Sequence, residues 1–171
     1  VSAVTSTDGL IIDTVSPNIT TINHTSIFTT VQDSMTVSWN AIAPPSGISY
    51  YQFKISSGNT IADGGEVIPI SGSTDWITTT NSTVTVTGIS LDNTITYYMT
   101  VKAYSNTGIV SDVLASTGVT IDTDTPVVVS VDDFATYTST TNELTVTWTA
   151  TSGASGIDHF EYKITHTNTL T

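Results

Sequence analysis

The chain has 171 residues, the length of about one domain of ~150 residues with a fraction to spare. Its only cations are Lys54, Lys102 and Lys163, against 15 Asp and Glu, a formal net charge of -12. This excludes a nucleic-acid binder, because neutralising phosphates needs a clustered basic surface. Cysteine is absent, which removes disulfides, thiolate catalysis and Cys-ligated zinc together.

Only 11% of residues are charged and 38% are hydrophobic, so Ser, Thr and Asn must carry much of the hydration. That balance is uncommon for a cytosolic enzyme. A secreted protein can dispense with disulfides when each domain has about 100 residues from which to build a core. No run approaches the ~18 apolar residues that a membrane-spanning helix needs, so no membrane insertion is expected in this segment. Val1-Ser2-Ala3-Val4-Thr5 has neither a basic nor an apolar leader region. Any export signal is therefore expected outside this sequence, and the non-Met start fits a processed product or a piece of something longer.

Taken in order, the elements have period two. Met35-Thr36-Val37-Ser38-Trp39, Val84-Thr85-Val86, the run from Tyr97 to Ala103 and Leu144-Thr145-Val146-Thr147-Trp148 all alternate apolar with polar residues. Turn chemistry separates the strands at Pro44-Pro45-Ser46-Gly47, Ser57-Gly58-Asn59, Asp63-Gly64-Gly65, Ser71-Gly72-Ser73 and Asn106-Thr107-Gly108. No helical period is present. Short strands with frequent turns predict an all-β antiparallel sandwich. Its core is expected to hold Met35, Val37, Trp39, Tyr51, Phe53, Ile55, Val84, Val86, Leu91, Tyr97, Met99, Val101 and Ala103.

Laid against itself, the chain matches at one constant offset. Trp39 aligns with Trp148 (148 − 39 = 109), as do Gly9 with Gly118, Pro17 with Pro126, Lys54 with Lys163 and Ile55 with Ile164. Residues 9–55 and 118–164 share 15 identities in 47 positions without a gap. The expected organisation is residues 1–12 as the last strand of one repeat, 13–121 as a complete repeat, and 122–171 as the N-terminal part of the next, truncated. Incomplete sandwiches leave apolar faces and open edges. Completion by neighbouring repeats is the economical expectation, with strand donation between chains as the alternative.

The stretch from Leu91 through Tyr97 to Ala103 resembles the E–F turn and F strand of fibronectin type III domains, keeping both six-residue spacings. In that family the tyrosine hydroxyl ties the turn while its ring enters the core. Trp39 and Trp148 resemble the family's B-strand tryptophan, and Tyr51-Gln52-Phe53-Lys54-Ile55 its C strand. Ser46-Gly47-Ile48, Asp75-Trp76, the run from Val86 to Leu91 and the run from Gly118 to Pro126 resemble tandem fibronectin type III or immunoglobulin-like repeats of large bacterial cell-surface, adhesin-like proteins. Asn93 stands where that turn usually has proline, residues 56–75 form an insertion, and no Arg-Gly-Asp can occur without arginine.

The resemblance implies tandem fibronectin type III-like β-sandwiches in an extracellular, cell-surface or secreted protein. Their role would be structural or adhesive and non-enzymatic, as a stalk, spacer or filament. The expected partners are neighbouring repeats of the same protein, by self-assembly, or a host or cell surface. Alternatives are a spacer of a secreted carbohydrate-active enzyme and a calcium-rigidified adhesin extender.

Chemistry-bearing residues are few. His24, His159 and His166 are scattered and read as strand or loop residues rather than a triad. Asp132-Asp133 aligns with Asn23-His24 and reads as solvated charge. Gly64-Gly65 lacks the lysine and helix of a phosphate loop. No organic cofactor is expected. Calcium is the one candidate ligand, since Asp13 and Asp122 share a position at the repeat junction and Asp124 adds a second carboxylate. The competing reading is a dry linker braced by Pro17 and Pro126. Asn18, Asn23 and Asn81 open glycosylation triplets, and Asp13-Thr14-Val15 and Asp33-Ser34-Met35 resemble a short O-glycosylation motif, all weak signals in so Ser/Thr-rich a chain. Tyr98, Tyr104 and Trp76 are candidates for a sugar-stacking face, against a role as sheet cover.

Overall fold

A computed structural model describes residues 5–58, 66–133 and 137–165. The chain divides into two compact units, Val1–Ile121 and Asp122–Thr171. In the first, β-branched and aromatic residues alternate with Ser and Thr, which suits strands with one buried row. The strands are β1 (Asn18–His24), β2 (Phe28–Thr29), β3 (Ser34–Ile42), β4 (Ile48–Ser56), β5 (Ile77–Thr79), β6 (Thr83–Thr87), β7 (Thr96–Ser105), β8 (Leu114–Ala115) and β9 (Val119–Ile121). One sheet runs β1-β3-β6 and the other β2-β9-β7-β4-β5, with β8 on β7. No helix occurs among the described residues. The fold is the all-β sandwich that the alternation predicts, antiparallel except where β2 and β9 pair in parallel.

The core lies between these sheets. Trp39 from β3 is 2% exposed, and its ring meets Tyr51 edge-on at 5.4 Å and Phe53 at 6.3 Å. Ile55, Met99, Val101 and Ala103 close the opposite side with no exposed surface. Tyr51 and Val84, expected in the core, are only partly buried. Tyr51 carries a hydroxyl that favours a wet end, and Val84 lies on the edge strand β6. Ile68 and Ile70, from the stretch read only as an insertion, join the core. Beyond them Ser71 (φ 52°) and Gly72 (φ 79°) make a two-residue hairpin turn, closed by reciprocal bonds between Ile70 and Ser73 of 2.9 and 3.0 Å.

Two polar devices fix β7. The Tyr97 hydroxyl accepts the Asp92 N–H at 2.9 Å while its ring is buried, as the resemblance implies. Further along, the hydroxyls of Ser116 and Ser111 accept the N–H groups of Met99 and Ala103 at 3.0 and 2.9 Å. Each serine also donates its own N–H to the same residue's carbonyl at 2.9 Å. These hydroxyls satisfy buried donors that the short β8 leaves without a backbone partner.

The second unit contains β10 (Val127–Asp132) and β11 (Thr147–Thr151), an antiparallel pair. Its pairs Val127↔Thr151, Val131↔Trp148 and Asp132↔Thr147 reproduce, at the offset of the sequence match, Asn18↔Ile42, Ile22↔Trp39 and Asn23↔Ser38 of β1 and β3. The register shifts after Val128 in one pair and after Ile19 in the other, again at that offset. Trp148 lies 5.5 Å from Phe160 and 6.3 Å from Tyr162, matching Trp39 with Tyr51 and Phe53. Burial does not follow this geometry, since Trp148 is 39% exposed and every residue of β10 is exposed. Residues 5–12, aligned with 114–121, form no strand, and Leu10, Ile11 and Ile12 are exposed. The aligned β9 is a strand because β2 and β7 flank it.

Trp39→Ala should lower the denaturant-unfolding stability of the first unit by about 3–5 kcal/mol, as a large-to-small core change. Tyr97→Phe should cost about 1–3 kcal/mol by orphaning the Asp92 N–H. A loss under about 0.5 kcal/mol for Trp39→Ala, the scale of a surface change, would contradict the strand register.

Candidate functional site

The best-defined polar site is the loop between β3 and β4 with the carboxylate that precedes β1. Pro44 opens the loop, and Gly47, at φ 82°, donates its N–H to the Pro44 carbonyl at 2.8 Å. Asp13 Oδ2 accepts the Ser46 N–H at 2.7 Å and Oδ1 accepts the Val15 N–H at 3.0 Å. From the other side Asn106 Nδ2 donates to the Ser46 carbonyl at 2.6 Å. One loop is thereby held by residues 33 positions before it and 60 after it.

The second unit contains the same arrangement, one repeat further along the chain. Asp122 Oδ2 accepts the Ser155 N–H at 2.6 Å and Oδ1 accepts the Asp124 N–H at 3.1 Å. Gly156, at φ 80°, donates to the Gly153 carbonyl at 3.2 Å. Asp13 and Asp122 are nearly covered from solvent. Both carboxyls sit below their ordinary pKa. The first cause is the serine hydroxyl beside each, Ser46 and Ser155, followed by the N–H donors, which together outweigh burial. The Ser46 hydroxyl is close but makes no hydrogen bond, so at Asp13 the well-formed N–H bonds are the firmer cause.

These residues do not fit a calcium site. Asp13 lies at one junction, where Val15 stands in place of a second carboxylate, and Asp122 with Asp124 at the next. Among the described residues no three His, Asp or Glu side chains converge to hold a metal ion. Each oxygen of Asp13 and Asp122 already accepts one backbone N–H, which leaves fewer lone pairs for a cation. Calcium also needs six to eight oxygens.

His24 lies at the end of β1, half-buried, with both ring nitrogens covered and without a hydrogen-bond partner. It borders a 240 Å³ cavity with Thr25, Ser26, Thr29, Met35 and Val119. Burial pushes its pKa down. His159 is exposed, 2.8 Å from Asp158 and 3.9 Å from Glu161. Asp132 ends β10 and Asp133 follows it, both exposed. His166 and Gly64-Gly65 lie outside the described residues.

On the outward face of the β5-β4-β7 sheet, the Lys102 ammonium sits 4.2 Å from the centre of the Trp76 ring and Lys54 5.4 Å from it. Tyr104 stacks on Tyr50 at 4.6 Å. Tyr98 instead packs beside Gly118, where any Cβ would collide with its ring. Lysines and a second tyrosine thus occupy ring faces that a stacked sugar would need. The cation–π contacts explain why these rings cover the sheet. Sequence reasoning missed the N–H partners of Asp13 and Asp122. The signal was available, since Ser46-Gly47 and Ser155-Gly156 are identical at the offset that pairs the two aspartates.

Stability of the first unit should fall on acidification in two steps. The folded His24 pKa is depressed, so its contribution is present above the ordinary histidine pKa of about 6.5 and is lost as pH falls through the folded value. The Asp13 carboxyl is depressed too, so its contribution holds above about pH 4 and is lost below it. Thermal melts from pH 8 to pH 3 should show both steps, His24→Gln removing the upper and Asp13→Asn the lower. A wild-type profile flat from pH 7 to pH 5 would contradict the buried, unpartnered imidazole.

No family model matches the chain, and no curated protein matches it in sequence. Among solved structures, 14 chains match. One, a crystal structure of domains A168-A170 from titin, is 17% identical, with a TM-score of 0.40 over 63% of this chain. The alignment covers 32% of the titin chain, so this chain spans about a third of that structure. The likeness concerns the fold alone.

Proposed function

We propose that the chain is a non-enzymatic segment of tandem β-sandwich repeats that serves as a stalk or spacer in an extracellular surface protein or filament. In this reading residues 1–12 correspond to the last strand of one repeat, although residues 5–12 are not paired here, 13–121 are a complete repeat and 122–171 the beginning of the next. The observation that carries it is the recurrence of structure at the constant offset of the sequence match. Strand pairing, register shift, aromatic triplet and the carboxylate that holds the β3–β4 loop all occur twice at that spacing. Chance identity of residues would not reproduce hydrogen bonds.

The mechanism is mechanical. Each repeat buries its own core, and the aspartate at its start ties the junction to a loop of the sandwich that follows. Array stability is then close to a sum of repeat and nearest-neighbour terms. The acidic, hydroxyl-rich surface keeps parallel copies apart by repulsion, and the partners are neighbouring repeats of the same protein. The junction carboxylates act as loop ties without calcium. The scarcity of charge and the abundance of Ser and Thr support a location outside the cytosol.

Pulling a tandem array of residues 13–121 in a single-molecule force experiment should give equally spaced unfolding events. Each should release the ~36–39 nm of an extended repeat, from ~3.3–3.6 Å per residue, less the few nanometres that the folded repeat already spans. A single continuous extension without steps would overturn the repeat reading. The melting temperature of the same array should be equal in calcium and in chelator, and a calcium-dependent rise would restore the metal reading.

A further inference from the structure

The second unit exposes a large apolar surface. An 820 Å³ cleft is lined by residues that include Val128, Val131, Leu144, Val146, Trp148 and Phe160. Val131 is 67% exposed, Leu144 54%, and nearby Tyr162 and Ile164 79% and 70%. Such a face is costly in water and marks a surface that another element covers.

The first unit identifies what covers it. The residues one repeat earlier include Met35, Phe53 and Ile55, which are 6%, 3% and 0% exposed. Met35 and Val37 pair with Val86 and Val84 of β6, on the edge of β3 opposite β1. Tyr51, Phe53 and Ile55 pair with Ala103, Val101 and Met99 of β7. In the second unit β11 has β10 on one edge and no strand on the other among the described residues, and residues 157–165 form no strand. The apolar side chains that correspond to those of β1, β3 and β4 are thus present, and among the described residues of this unit nothing corresponds to β6 or β7.

We infer that this face is the seat of a covalently continuous strand pair with the patterns of β6 and β7. One strand is Val-x-Val, laid beside Leu144 and Val146. The other is Met-x-Val-x-Ala, laid antiparallel to Phe160, Tyr162 and Ile164. The inference rests on the repeat reading above and adds the chemistry of the occupant. A second copy of the chain is a poorer occupant. Its residues 5–12 align with the segment of β8 and β9, and those strands pair only with β7 and β2, never with β3 or β4. Its own β7 is locked in its own core, with Met99, Val101 and Ala103 at 0% exposure.

The test extends the full chain after Thr171 with residues 63–121 of the same sequence, which keeps the register because 171 − 109 = 62. Amide hydrogen exchange of residues 147–151 and 160–164 is then followed by mass spectrometry. The expected result is at least 100-fold slower exchange in the extended chain. The slowing should disappear when the residues copied from Met99, Val101 and Ala103 are replaced by Ser. Unchanged exchange in the extended chain would overturn the proposal. So would slowing in the unextended chain that grows with concentration alongside a sedimenting dimer, which would make a second copy the occupant. The force experiment uses residues 13–121, which contain none of this face, so failure of the repeat reading is seen separately.

Discussion

Closure of the β4-β7 sheet over the indole of Trp39 is the constraint on which the rest of the structure depends. The chain supplies its own control in Trp148. Both indoles sit on a strand with the same antiparallel partner, the same register shift and the same two aromatic neighbours. Trp39 is covered and Trp148 is not, and among the described residues only the first unit has a second sheet. Ladder hydrogen bonds and local aromatic packing are therefore shared by both units, and burial between sheets separates them. An isolated hairpin is marginal in water for this reason.

Polar groups then fix the geometry that burial leaves open. The Tyr97 hydroxyl, the two serine hydroxyls along β7 and the Asp13 carboxylate each satisfy backbone N–H groups that no strand reaches. Their value lies in preventing orphaned donors more than in adding attraction. In a chain with so few cations, a carboxylate that bonds to backbone N–H groups needs no lysine or arginine partner. The lysines of the first unit cover Trp76 instead. The proposed role as a spacer follows from this economy: a core per repeat, a tied loop at each junction and a surface that repels its like.

Much of the fold was legible in the sequence because the strands that matter most alternate cleanly. Met35, Val37 and Trp39, and Tyr97 to Ala103, state their inward faces without help, and the sandwich follows. Ile68 and Ile70 were not legible, since a short hairpin inside an apparent insertion carries too few residues for a period to show. The serine acceptors along β7 were hidden by composition, because two buried hydroxyls look like any others in a chain crowded with them. At the candidate site the position of Asp13 and Asp122 was readable, but their role was not. A carboxylate accepting an N–H from a loop far along the chain leaves no local pattern, so the junction read as a dry linker braced by Pro17 and Pro126 or as a calcium site, and neither names the loop tie. For Tyr98, Tyr104 and Trp76 the sequence left sheet cover and a stacking face both open, because alternation tells which face a ring is on and not what lies over it; the lysines over Trp76 favour sheet cover.

Native-state hydrogen exchange of the full chain tests the central claim most directly. If burial between sheets governs stability, the amides of β3 and β7 should exchange only through global unfolding of the first unit. Those of β10 and β11 should exchange orders of magnitude faster despite the same ladder geometry. Equal protection of the two tryptophan strands would contradict the account, because it would show that pairing and local aromatic contacts suffice without a covering sheet.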